Sequence, residues 1–191
     1  MKYFIDIKLL SDTDISLGFI WQKVYALMHL ALVEHKNSEG LCNIGFAFPH
    51  YKEIFPLGDT LRLFASKQKE LELLKIDEEL KHYSDYVKIS EIKEVPTDIK
   101  GYVTFSRKQF KSNPIRLARR YAKRHNITLE ESLNIYSNMD VKETKLPFVM
   151  MKSNSSDQQM KLFIEKNIRD EEEKGLFNAY GLSKTSTVPY F

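Results

Sequence analysis

Three groups of side chains in this 191-residue chain have the type and spacing to do chemistry. The first is a histidine. His29 lies within Leu17–Glu34, a run of helical periodicity whose apolar arc is Leu17, Ile20, Val24, Leu27, Met28 and Ala31, with Trp21 and Tyr25 toward one edge. On the same wheel His29 falls about 40° past Tyr25, at the margin of the buried face, where a ring can reach a cleft. Imidazole titrates near neutrality, which suits general acid–base work. An ordinary surface or capping histidine would occupy the same place, and spacing does not choose between the two. The second group is Ser153, Ser155 and Ser156 in the polar run SNSSD. They read either as plain turn chemistry or as hydroxyls that hold a ribose or a phosphate. RNA fits such a site because its own 2′-OH is the nucleophile. A protein need only align it with the phosphorus, assist its proton and balance the phosphate charge.

The third group is a charge pattern. Ser106 to His125 holds eight Lys or Arg and no acidic residue. Pro114 suits a first helical turn and Asn113 an N-cap. Arg116, Arg119, Arg120, Lys123 and Arg124 then fall at i, i+3, i+4, i+7 and i+8, on one arc of about 140°. Like charges one turn apart repel, so a helix that only needs solvation mixes signs. Cations alone on one face point to a polyanion, most simply nucleic acid; a basic solvated helix is the alternative. The net charge of +3 conceals this concentration: residues 100–125 carry nine basic and no acidic side chains, and the rest 20 basic against 26 acidic.

Other chemistries lack their residues. There is no Gly-rich phosphate loop, no HExxH and no CxxC, and Cys42 is the only cysteine. His29 and His35 are about 240° apart on a helix and cannot share a metal from one face. Asp170–Glu173 (DEEE) reads as a solvated loop. No metal and no cofactor are expected, and any nuclease activity is expected to proceed without metal. Asp6 and Lys8 interrupt the N-terminal apolar run, so no signal peptide is expected. No run reaches the roughly 20 apolar residues of a membrane span, which makes a reducing cytoplasm the expected compartment and a membrane not an expected partner.

The elements that must position these residues alternate in type. Strands are expected at Tyr3–Leu9, Leu41–Phe48, Thr60–Ala65 and Tyr86–Val95, with helices at Leu17–Glu34 and Lys67–Lys75. That order, β-α-β-β-α-β, is ferredoxin-like. Pro96–Gly101 marks a boundary, giving a ferredoxin-like domain over 1–96 and a smaller α/β module over 97–191, an α+β protein in all. The second module opens with a strand, Tyr102–Gln109, and continues into the basic helix. Thr128 and Glu131 form a capping box for a helix to about Ser137. Strands follow at Leu146–Lys152, Gln158–Ile164 and Phe177–Tyr180, with a charged loop at Arg169–Lys174.

The strings YFIDIKLL, MHLALV, IGFAFP, SRKQFKSNP, RRYAKRH, LPFVMMKSNSS and AYGLSKTSTVPYF span the chain. Together they resemble the CRISPR-associated endoribonucleases of the type I-F (Yersinia-subtype) system, which cut the repeat hairpin in precursor CRISPR RNA. The resemblance implies roles. His29 matches the histidine that assists the 2′-OH proton, Ser153 the serine that holds the attacking ribose, Ser155 a second serine near the scissile phosphate, and Tyr180 a tyrosine that places the histidine. Arg107 and Gln109 match a pair that reads base edges low in the stem. Arg116, Arg119, Arg120, Lys123 and Arg124 match a helix lying along the RNA major groove, and Asn113 belongs with the RNA-binding residues.

A-form major grooves are too deep and narrow for side chains to read in general. The helix is therefore expected to grip phosphates near an open stem end, with base specificity left to Arg107 and Gln109, by bidentate contact to guanine and adenine. Two positions depart from the pattern. Met160 stands where an aromatic would stack under the stem and lacks a π-face, and Lys123 stands where arginine is expected. The expected function is a metal-independent endoribonuclease that retains its product as a subunit of the type I-F surveillance complex and is monomeric when alone. A non-catalytic subunit that binds the RNA hairpin, and a DNA-binding regulator, are the competing readings.

Overall fold

Alternation in Tyr3–Leu9 buries Ile5, Ile7 and Leu9 on one face, while Phe191 and Arg62 cover Phe4 on the other, and this strand, β1, is the centre of a sheet. A computed structural model gives the fold over residues 1–54, 56–110, 114–137, 144–152 and 158–191, with only the backbone described at Pro114 and Arg116. It is a mixed α/β structure with several sheets and five α-helices among the described residues. Two compact units divide it: Met1–Lys108 with Leu146–Phe191, and Gln109–Lys145.

In the first unit β1 pairs antiparallel with β4 (Thr60–Ala65) on one side and β5 (Val87–Ile89) on the other. Strand β3 (Gly45–Ala47) lies outside β4, giving the order β3-β4-β1-β5, and β6 (Lys93–Glu94) pairs with the start of β1. Helix α1 (Leu17–Glu34) is capped by Ser16 and buries Trp21, Val24, Tyr25 and Met28. Trp21 and Tyr25 pack on the rings of Phe48 and Phe46, and Trp21 Nε1 donates to the Gly58 carbonyl at 2.8 Å.

Two segments expected to be continuous are divided, and a third is shortened. Leu41–Phe48 splits into β2 (Leu41–Cys42) and β3, and β2 leaves the sheet to pair with β10 (Phe177–Asn178). Gly45 allows this, because a Cβ there would lie 2.7 Å from the Phe177 ring. Lys67–Lys75 yields only α2 (Gln68–Glu72), and beyond it Lys75, left-handed at φ 46°, turns the chain into a further helix, α3 (Ile76–Glu79). That reversal lets Leu71, Leu74, Ile76 and Leu80 all bury. Tyr86–Val95 breaks after β5, where the Ser90 hydroxyl accepts from the Asp6 amide at 2.9 Å in place of a ladder carbonyl.

A four-stranded antiparallel sheet, β11-β7-β9-β8, completes this unit, formed by β7 (Gly101–Lys108), β8 (Phe148–Lys152), β9 (Gln159–Arg169) and β11 (Val188–Tyr190). Strand β9 runs five residues past its expected end at Ile164, and β11 has no counterpart among the sequence expectations. Pro189 fits β11 because an edge strand can spare an N–H. The core is continuous between the sheets: Phe48 meets Phe105 edge-on at 5.0 Å, and Tyr51 donates to the Ile164 carbonyl at 2.7 Å.

The second unit holds α4 (Pro114–His125) and α5 (Leu129–Tyr136). Asn126, at φ 54°, ends α4, and the Thr128–Glu131 capping box starts α5 as the sequence predicts. Buried Ala118, Ala122 and Ser132 bring the helices close, and the Ser132 hydroxyl donates to the Ala118 carbonyl at 2.7 Å. No described helix is long and apolar enough to cross a membrane.

Candidate active site and RNA-binding surfaces

Three supports act on His29, and two of them come from the residues that follow β10. α1 presents the imidazole half-buried, as its place on the wheel requires. Nδ1 lies 2.7 Å from the carbonyl oxygen of Ala179. A carbonyl only accepts, so Nδ1 carries the proton and the neutral ring offers its Nε2 lone pair. The Tyr180 ring stacks on the imidazole, with centroids 4.2 Å apart and planes within 4°. Burial holds the His29 pKa below the ordinary histidine value. The Ala179 carbonyl opposes that shift and the charge of Lys36 adds to it.

The turn beneath this arrangement is built from NAYG, residues 178–181. Asn at the first position and Gly at the last is a turn signature. The Asn178 Oδ1 accepts from the amides of Tyr180 at 2.8 Å and Leu182 at 3.3 Å, and Gly181 donates to the Asn178 carbonyl at 2.8 Å. Gly181 has φ 70°, and a Cβ there would overlap the Phe46 ring. Tyr25, fully buried on α1, donates its hydroxyl to the Tyr180 carbonyl at 2.8 Å. Burial pushes the Tyr25 phenol far above its usual pKa, so it stays a donor.

Arg107, on β7, extends the stack. Its guanidinium carbon lies 5.5 Å from the Tyr180 ring centroid, and Nη2 lies 3.8 Å from the Met160 sulfur. His29, Tyr180, Arg107 and Met160 are therefore brought together, although they lie on α1, the turn after β10, β7 and β9. Ser153 and Ser155 fall outside the described residues. They directly follow β8, which packs against α1. Asn113 and the Arg116 side chain also lie outside the described residues.

In the second unit Arg119, Arg120, Lys123 and Arg124 are all exposed on α4, and among the described residues none is paired with a carboxylate. Tyr121 stacks on His125 at 4.1 Å and meets Tyr136 edge-on. Gln109 is exposed just beyond β7. No group of three or more His, Cys, Asp or Glu among the described residues could hold a metal ion.

Sequence reasoning missed the Ala179 carbonyl, Asn178 and the Tyr25 hydroxyl. A backbone carbonyl leaves no side-chain signal, and Tyr25 reads as core. Only the Asn-x-x-Gly spacing could have drawn notice to the turn.

Comparison with known proteins places the chain in a family. A family model described as "CRISPR-associated protein (Cas_Csy4)" matches residues 4–191. A protein of Escherichia coli (strain UTI89 / UPEC) named "CRISPR-associated endonuclease Cas6/Csy4" is 37% identical over 192 residues, covering 100% of both chains. One of the same name from Pseudomonas aeruginosa (strain UCBPP-PA14) is 34% identical over 193 residues, again covering 100% of both. A solved structure described as "An RAMP protein binding different RNA substrates" covers 100% of both chains at 14% identity with a TM-score of 0.39, too remote to weigh. With a family model and full-length relatives in agreement, the chain belongs to the Csy4 family of CRISPR-associated endonucleases.

Proposed function

We propose that the protein binds the stem-loop of CRISPR repeat RNA and cuts precursor CRISPR RNA without a metal ion, by attack of a ribose 2′-OH on the adjacent phosphorus. The observation that carries this reading is the His29 ring, whose proton is fixed on Nδ1 by the Ala179 carbonyl, which leaves the lone pair on Nε2. Nε2 takes the 2′-OH proton as the 2′-oxygen bonds to phosphorus. The phosphorus–O5′ bond breaks, the departing oxygen takes up a proton from solvent, and the imidazolium returns to solvent the one it took. The products are a 2′,3′-cyclic phosphate upstream and a 5′-OH downstream. Ser153 holds the attacking ribose, Ser155 lies near the scissile phosphate, and Tyr180 keeps the imidazole plane aligned. A depressed His29 pKa suits a base, because the ring is then mostly neutral near pH 7.

Arg107 and Gln109 read base edges. Arg116, Arg119, Arg120, Lys123 and Arg124, with Asn113 at the head of their helix, grip phosphates, and Met160 packs under the stem. Arg119, Arg120, Lys123 and Arg124, exposed on α4 and paired with no carboxylate among the described residues, support that division of labour. The order β3-β4-β1-β5 supports a ferredoxin-like reading of residues 1–96, with 97–191 as the RNA-binding module. The enzyme retains its product as a subunit of the type I-F surveillance complex in the cytoplasm and is a monomer when alone.

A labelled repeat hairpin from the same genome, incubated with the protein in EDTA, tests the reading. Wild type is expected to cleave it, His29→Ala to bind it tightly without cutting, and a 2′-deoxy substitution at the attacking ribose to block cleavage. Cleavage that needs Mg²⁺ would overturn the mechanism. A hairpin bound but left intact by wild type would leave only a binding subunit.

A further inference from the structure

We propose that Asn178 and Tyr25 are positioning residues for His29, acting through the turn that carries Ala179 and Tyr180; this rests on His29 being the base. Neither side chain contacts the imidazole in the contacts described above. Both fix the segment that supplies its hydrogen-bond acceptor and its stacking partner.

The turn must do two things within consecutive residues. Ala179 turns its carbonyl onto Nδ1 at 2.7 Å, and Tyr180 lays its ring parallel to the imidazole. A short turn has few bonds of its own with which to hold both. Asn178 adds two, because its Oδ1 takes the amides of Tyr180 and Leu182 on either side of Gly181. Tyr25 adds a third from α1, the helix that carries His29 one turn further on. Its hydroxyl grips the Tyr180 carbonyl at 2.8 Å, so base and orienting carbonyl are referenced to one rigid element. Tyr25 is immobile itself, fully buried between Phe46, edge-on at 5.7 Å, and Phe48, stacked at 6.3 Å.

The tautomer is what these contacts protect. If the Ala179 carbonyl swings away, Nδ1–H and Nε2–H forms become comparable, and only the first leaves Nε2 as acceptor. The ring also loses its fixed plane, and misplacement on the order of 1 Å at a reacting group can cost about a hundredfold in rate.

The test uses the full-length protein as wild type, Asn178→Ala, Asn178→Asp and Tyr25→Phe. Long-range ¹H–¹⁵N correlations of the His29 ring at about pH 8 report its tautomer without RNA. Single-turnover cleavage of the labelled repeat hairpin, with binding measured separately, reports function. Asn178→Ala is expected to give mixed tautomers and a cleavage rate lower by about tenfold to a hundredfold, with hairpin affinity unchanged. Asn178→Asp keeps the Oδ1 acceptor and is expected to restore both. Tyr25→Phe keeps the packing and is expected to change tautomer and rate in the same direction, by less. A wild-type tautomer and rate in either Asn178→Ala or Tyr25→Phe would overturn the proposal, and Tyr25→Phe decides it if Asn178→Ala does not fold. Undiminished cleavage by His29→Ala would instead remove the reading on which it rests.

Discussion

Replacing Gly181 with alanine should damage stability and catalysis together. At φ 70° a non-glycine residue costs about 1–2 kcal/mol. The added Cβ also overlaps the Phe46 ring, which is buried and backed edge-on by Tyr25 at 5.7 Å. With no room to retreat, overpacking adds about 1–3 kcal/mol. The sum, about 2–5 kcal/mol, is a large share of the 5–15 kcal/mol that typically holds a domain together. For a chain of this length each kcal/mol moves Tm by about 2–4 °C, so thermal unfolding followed by circular dichroism should show a fall of about 4–20 °C. Gly181→Asn separates the two causes. Asparagine tolerates the left-handed region but still carries the offending Cβ, so it should recover only the backbone part. In the folded fraction at 25 °C, hairpin cleavage should drop more than hairpin binding, because Ala179 and Tyr180 share the turn. A Tm within about 1 °C of wild type for Gly181→Ala would refute the packing of this turn against Phe46.

The cleavage rate at saturating RNA should rise with pH through an acid limb centred below 6.5, because the base must be neutral and burial holds His29 low; Lys36→Gln removes a charge that lowers it further, so the limb should move to higher pH. Changing Arg119, Arg120, Lys123 and Arg124 together to glutamine should flatten the log–log salt dependence of hairpin binding by about 3–4, at roughly 0.7–0.9 per lost phosphate contact; an unchanged slope would take α4 out of the interface. Asp59 contributes to stability at neutral pH. Burial raises its pKa, but hydrogen bonds from His50 at 2.6 Å and Thr60 at 3.0 Å outweigh that and leave it below the usual carboxylate value. Its contribution is therefore present above about pH 3.8 and lost as pH falls through the folded value. Asp59→Asn should lower the urea midpoint at pH 7 and bring it closer to that of wild type at pH 3.

Long amphipathic elements were legible in the sequence. α1 has the residue range its periodicity predicts, and β1 and β4 also match. β2, β6 and β10 have two residues each, too few to display any alternation, and their pairing is set by distant partners such as Phe177 against Cys42. The break at Lys75 was hidden because a left-handed lysine has no compositional mark. His29 stood out as a titratable group at a buried margin. Tyr180 came only with the family resemblance, and two further groups that orient His29 did not show at all, since one is a backbone carbonyl and the other, Tyr25, reads as plain core.

The Nδ1–Ala179 bond joins positions 150 residues apart. During synthesis at about 5–20 residues per second, α1 leaves the ribosome roughly 8–30 s before its orienting carbonyl does. Throughout that interval the His29 ring lacks the acceptor that fixes its tautomer. On the role proposed for His29, the reactive group is completed only by a much later segment of the chain.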